Sequence, residues 1–253
     1  MDFFDVIEKR CSYRGEFLDT PIPDEDMRKI MEAAPRLTSR DPDAVQPVAE
    51  GLVAAGLAMA YAKASRPASG LEHYFSHVWE MQALERGVPY DLHGIQVGVG
   101  TMLTIQVLEW MRASVPDRER AQAHMRAFSV DAWADNIRRI FGKTAGEILR
   151  AEEKFRKNDP QAHAKRLEAI VGRWDEITRA IDEEIPSREA LNRVLQPTGM
   201  PLTPEAIGIS RQDVADAFAG SRDIRDKYLC SSLLWDLGLM DEFAERLRLS
   251  KDN

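Results

Sequence analysis

Cysteine is scarce: Cys11 and Cys230 are the two in 253 residues. Two thiols cannot build a disulfide framework, so a reduced, cytoplasmic setting is expected. Excess basic charge is also missing. Against 42 acidic residues stand 34 Lys and Arg, for a formal net charge of −8, which argues against a nucleic-acid partner. The opening MDFFDVIEKR has acids where a secretory leader needs cations, so no signal peptide is expected. The most apolar stretch, residues 51–62, is too short to cross a bilayer, and a soluble chain without membrane insertion is expected. Runs with strand periodicity are lacking too, which excludes a large sheet. With the sheet goes the glycine-rich turn between strand and helix that holds a dinucleotide phosphate. The one tempting cluster, GVGT at 98–101, lies inside an apolar helical segment and reads as packing.

What the chain does have is helical pattern almost throughout, so the fold class expected is all-α. Phe3, Phe4 and Ile7 mark a short first helix, and Pro23, Asp24 and Glu25 start a second. Residues 35–47 read as a polar, proline-containing connector. A small-residue helix over 48–63 suits close packing inside a helical domain. Residues 93–111 are apolar enough to lie in its middle. Residues 117–185 read as two or three amphipathic helices, with Trp133, Ile137, Ile140, Ile148 and Phe155 on their apolar faces. Pro186, Pro197, Pro201 and Pro204 punctuate a loop-rich stretch before two final helices.

Histidine is concentrated in one place. Three of the five, His73, His77 and His93, fall within 21 positions. A loop at 65–70 leads into a helix on which His73 and His77, four apart, share a face. After a turn at Gly87, Val88 and Pro89, His93 opens a second helix. Imidazoles so placed suit zinc or another divalent metal. Histidines at i and i+4 also occur on ordinary helices, satisfied by a core or a cap, and spacing alone leaves both readings open.

The segments SRPASGLEHYFSHVWEM (65–81) and LHGIQVGVGTML (92–103) resemble the metal-binding half of the sn-glycerol-1-phosphate dehydrogenases. These belong to the superfamily of iron-containing alcohol dehydrogenases and dehydroquinate synthase. PSREALNRVLQPTGMPLTPEAIGIS (186–210) and SRDIRDKYLCSSLLWDLGLM (221–240) resemble the same family's C-terminal helices. The SRPASG and IRDKY segments fit the glycerol-phosphate branch better than the dehydroquinate synthase branch. The resemblance spans about residues 36–247 and implies the family's helical C-terminal domain over 36–253, without the nucleotide-binding α/β lobe.

That resemblance implies zinc held by two histidines, His73 and His93, with an acidic ligand upstream. It implies an NAD(P)-dependent interconversion of glycerone phosphate and sn-glycerol 1-phosphate. His77 takes the position of a catalytic histidine for substrate contact or proton relay, the plainer alternative being a hydrogen bond to a backbone carbonyl. Arg66 and Ser69, in the loop before the histidine helix, are open to two readings, contact with a substrate phosphate or a loop turn and helix cap. Arg225 and Tyr228 could reach the same pocket. The family's acidic ligand would fall before Met1, leaving Glu72, Asp91 or a partner chain to substitute. Glu72, adjacent to His73, points about 100° away around the helix and is a poor ligand. Both cysteines read as inert thiols.

Residues 1–34 resemble instead the opening of nitroreductase-family flavoproteins, giving a short N-terminal segment over 1–35. There Arg10, Ser12 and Arg14 match positions that help hold an FMN phosphate. The resemblance ends at Ala34, and so short a piece cannot enclose a flavin, so FMN is not expected. The expectation is a truncated glycerol-1-phosphate dehydrogenase relative, inactive alone for want of a group to bind and orient the hydride donor. The alternatives are a helical binding or scaffold subunit that forms a homodimer or pairs with a separate nucleotide-binding subunit, and, ranked below it, an FMN-binding nitroreductase-like protein anchored by residues 1–34.

Overall fold

A computed structural model describes residues 24–63 and 68–250, with side chains described from residue 28 onward within the first of these stretches. The expected first helix at Phe3, Phe4 and Ile7, the trio Arg10, Ser12 and Arg14, Cys11 and Arg66 lie outside the described residues. Among the described residues the structure is all-α, with no strand. The helices are α1 (Asp24–Ala33), α2 (Pro42–Ala62), α3 (Leu71–Arg86), α4 (His93–Arg112), α5 (Arg118–Ala127), α6 (Val130–Phe141) and α7 (Ala145–Phe155). They continue with α8 (Pro160–Gly172), α9 (Trp174–Glu184), α10 (Arg188–Leu195), α11 (Arg211–Ser221), α12 (Cys230–Asp236) and α13 (Met240–Leu249).

Side-chain caps set six of the thirteen helix starts among the described residues. Asp117, Ser129, Asp159, Ser187 and Ser210 each stand at an N-cap, where the side-chain oxygen accepts from a backbone N–H three residues on. Residues 117–185 hold five helices, not two or three, and the caps at Asp117, Ser129 and Asp159 start three of them. The amphipathic pattern runs on across breaks made by Ser129, Gly142 and Asp159. One stop is Arg156, a non-glycine residue in the left-handed region at φ 50°, which composition does not announce. The proline-rich stretch carries a helix of its own, α10, and three helices follow it, not two.

The connector expected over 35–47 is a correction as well. A 3-10 turn occupies Ala34–Ser39, and α2 begins at Pro42, with Asp41 as its cap and Pro47 inside it. Asp followed by Pro is equally a helix start and a loop signal; here the start wins.

The core centres on α3, α4, α11 and α13. Tyr74, Phe75, Val78 and Trp79 of α3 pack with Val99, Leu103 and Val107 of α4, Phe218 of α11 and Phe243 and Leu247 of α13. Phe75 stacks on Phe218 with ring centroids 6.3 Å apart. Residues 93–111 do lie in the middle. GVGT serves packing: a Cβ at Gly100 would stand 2.6 Å from the Glu72 carbonyl oxygen, so glycine lets α4 touch the α3 backbone.

The expected burial of the small-residue helix fails. In α2 only Ala44 is buried, while Leu52 is 72% and Val53 62% exposed. The helix packs chiefly on α1 and the 3-10 turn, where Ile30 sits against Gly51. Its 21 residues exceed the apolar run 51–62, so by length and composition it is long enough to cross a membrane, and little of it is buried.

Candidate metal centre

The site grows from the two helices that share the core. α3 commits Tyr74, Phe75, Val78 and Trp79 to the interior. Helical spacing then places His73, Ser76, His77 and Glu80 along an adjoining stripe. His93 is the first residue of α4 and faces that stripe. The ring centroids of His73 and His93, and of His77 and His93, are each 5.3 Å apart, and those of His73 and His77 are 6.4 Å apart. The three histidines singled out in sequence therefore meet in space.

Each has an acid beside it. His93 Nδ1 lies 2.9 Å from Glu80 Oε1 and 2.9 Å from Ser76 Oγ. His77 Nδ1 lies 3.8 Å from Glu80 Oε2. His73 Nδ1 lies 2.9 Å from Glu72 Oε1, and the same oxygen accepts from the Gly70 N–H at 2.6 Å. Burial, followed by the charges of Arg225 and His93, holds the His77 imidazole below its ordinary pKa, against the opposing pull of Glu80. A neutral imidazole offers a lone pair to a metal.

Sequence reading missed Glu80. Ligand atoms of His77, Glu80 and His93 all lie within 4.8 Å of one another. The signal was present as His77-x-x-Glu80, one helical turn on the same face. The two acids considered first do other things. Glu72 accepts from the Gly70 N–H at the start of α3, and Asp91 is exposed just before α4, outside the group of converging ligand atoms.

A cleft of about 570 Å³ opens beside the donors. Its lining includes His77 and Glu80 of α3, Thr144, Phe155, Ile224 and the exposed Arg225. Arg225 sits on the link between α11 and α12. Its carbonyl and that of Arg222 accept from Lys157 Nζ, which ties the link to the end of α7. Tyr228 belongs elsewhere: its hydroxyl donates to Asp236 Oδ2 at 2.7 Å, within the Arg166 network, so the expectation that it lines the pocket is corrected. The Ser69 carbonyl accepts from Lys227 Nζ at 3.2 Å, just ahead of α3. Burial pushes the Cys230 thiol up to about 12, in keeping with an inert cysteine.

Two imidazoles and a carboxylate make the donor set of an open zinc site, with room for one further oxygen ligand. The residues present therefore fit a divalent metal.

No family model matches the chain. Among curated proteins it is similar to glycerol-1-phosphate dehydrogenases that use NAD(P)+. It is 27% identical to that of Geobacillus stearothermophilus over 176 residues, 70% of this chain and 34% of the relative. With that of Bacillus licheniformis identity is 36% over 118 residues, 45% of this chain and 29% of the relative. With that of Halalkalibacterium halodurans it is 42% over 73 residues, 29% of this chain and 18% of the relative. The chain thus spans about a third or less of the length of these relatives. Over that part it is related in sequence to the glycerol-1-phosphate dehydrogenases.

Proposed function

We propose that this chain is a helical metal- and substrate-binding lobe of the glycerol-1-phosphate dehydrogenase kind. It takes a divalent cation, zinc first, and a small phosphorylated three-carbon ligand of the glycerone phosphate type. NAD(P) is brought by a separate nucleotide-binding lobe. The observation that carries this reading is the meeting of His73, His77, His93 and Glu80 where the two family-like segments fold against each other. When bound, a divalent cation supplies Lewis-acid polarisation of a hydroxyl or carbonyl oxygen. The chain's own residues do the rest: the cleft shields the ligand, and the exposed Arg225 in its lining supplies a guanidinium for a phosphate. Arg66 and Ser69, before α3, are proposed as further phosphate contacts.

Isothermal titration of glycerone phosphate into the zinc-loaded chain tests the substrate half. Binding is expected, weakened about tenfold or more in Arg225→Ala, which removes a charge-assisted contact. NADH oxidation by the same sample is expected to be absent. Turnover that vanishes in His93→Ala would place a nucleotide site in the chain and contradict the separate-lobe reading. An unaltered titration in Arg225→Ala would remove that residue from the site.

A second reading has its own observation, the exposed apolar face of α2. A helical scaffold that self-associates, or docks a nucleotide-binding partner, through that face would explain it. Sedimentation separates the two states: a dimer supports self-association and a monomer opposes it.

A further inference from the structure

The link between α11 and α12, residues 222–229, brings Arg225 to the cleft beside the candidate metal centre. We propose that Lys157 is a positioning residue for that cleft: its ammonium holds the link at Arg225, and a phosphate ligand binds there only while Lys157 keeps its proton. This rests on the reading of Arg225 as a phosphate contact. It adds the group that places the guanidinium and the pH range in which the placement holds.

The anchor is built at the end of α7. Arg156 turns the chain in the left-handed region, at φ 50°. Glu152 then accepts from the backbone N–H groups of Lys157 at 3.1 Å and Asn158 at 2.7 Å. Arg166 of α8, itself held by Asp236, donates from Nη2 to the Lys157 carbonyl at 2.9 Å. With its backbone fixed from two sides, Lys157 donates from Nζ to the carbonyls of Arg222 and Arg225. The ends of the link are fastened separately. Arg222 is buried, lies 3.8 Å from the centre of the Trp235 ring and donates to Asp223 Oδ1 and Asn158 Oδ1. Lys227 is buried and donates to the Ser69 carbonyl at 3.2 Å. Arg225 and Asp226, between them, are exposed, so the contact from Lys157 falls where burial does not hold the link.

That contact bears on the site because of where the guanidinium lies. After burial, the charge of Arg225 is the strongest influence lowering the His77 pKa, so Arg225 stands close to an imidazole of the donor cluster. Lys157 in turn sits among charges: Glu152 on α7, Arg166 on α8, and Arg222, Asp223, Arg225 and Asp226 on the link. Burial outweighs the acids and brings its pKa down to about 8. Above that value the ammonium becomes an amine, and two charge-assisted hydrogen bonds become neutral ones of roughly half the strength. Arginine keeps its charge throughout, so what changes is the placement of Arg225 and not its charge.

The test is isothermal titration of sn-glycerol 1-phosphate into the 253-residue chain supplied with zinc, at pH 7 and at pH 9. Wild type is compared with Lys157→Arg and Lys157→Met, each verified as folded by circular dichroism. The protonated fraction of Lys157 falls from about nine-tenths to about one-tenth over that range, so wild-type affinity is expected to fall about tenfold. Lys157→Arg, charged at both values, is expected to bind alike at both. Lys157→Met is expected to bind at both as weakly as wild type does at pH 9. Hydrogen exchange of residues 222–229 without ligand, corrected for its intrinsic rate, is expected to quicken in Lys157→Met. Unchanged exchange in that variant overturns the tether whatever the ligand does. A wild-type affinity equal at both pH values, or a fall shared by Lys157→Arg as a titrating metal-bound water would give, overturns this inference and leaves Arg225 as a phosphate contact. A wild-type chain that binds nothing at pH 7 overturns the phosphate reading and this inference together.

Discussion

Asp236, 1% exposed, accepts from Arg166 Nε at 2.7 Å, from Arg166 Nη2 at 2.8 Å and from the Tyr228 hydroxyl at 2.7 Å. Removing it leaves a guanidinium and a phenol facing a vacated interior. Asp236→Ala is therefore expected to cost about 3 kcal/mol in urea unfolding, and a loss below about 1 kcal/mol would show the network to be solvated. Lys157 makes the opposite kind of contribution. Burial lowers its pKa to about 8, while an unfolded lysine titrates near 10.4. Asp223, Glu152 and Asp226 pull the value up and Arg222 pulls it down. A folded pKa below the unfolded one means that the charged form is penalised, fully at pH below about 8. The penalty fades as pH rises from about 8 to 10.4, so this residue adds an upward slope to stability in that window. Lys157→Met should flatten the slope; an unchanged pH profile would contradict the burial. At this scale the sequence was readable where residue type and spacing coincide. His73, His77 and His93 were found because imidazole is rare and their spacing is helical. Glu80 was missed because acids are common on helix faces and only the fold brings this one against His93.

Between α3 and α4 the contact depends on Gly100. A Cβ there would meet the Glu72 carbonyl oxygen at 2.6 Å, whereas at Gly94, on the same helix, it would meet nothing within 4 Å. Gly100→Ala is expected to destabilise by about 1–3 kcal/mol and to weaken zinc by moving His93 away from Glu80. Gly94→Ala, measured in parallel, is expected to be near neutral or slightly stabilising. Equal effects from both would show that the helix contact is looser than the structure has it. Helices were the legible elements because their apolar periodicity survives in single segments. Their ends were not, since Arg156 in a left-handed stop and Asp41 ahead of Pro42 read as ordinary polar residues. The five short helices of residues 117–185 were merged for that reason.

The whole molecule sets a buried, metal-capable helical body beside an exposed apolar helix. The placement of α2 could not be read from composition, because small apolar residues suit a core and an interface equally well. Its exposure predicts that Leu52→Lys and Leu57→Lys change stability by no more than about 0.5 kcal/mol. If this face joins two copies, the same substitutions shift sedimentation towards monomer; a large loss of stability would mean that α2 is buried after all. The claim that holds the molecule together functionally is that α3 and α4 meet to bind a divalent cation. The direct measurement is zinc retained per chain after equilibrium dialysis of the 253-residue chain, beside a His77, Glu80 and His93 triple substitution verified as folded. One zinc per wild-type chain and none in the triple variant is the result predicted. A wild-type chain that retains no zinc, or a triple variant that retains as much, would contradict it.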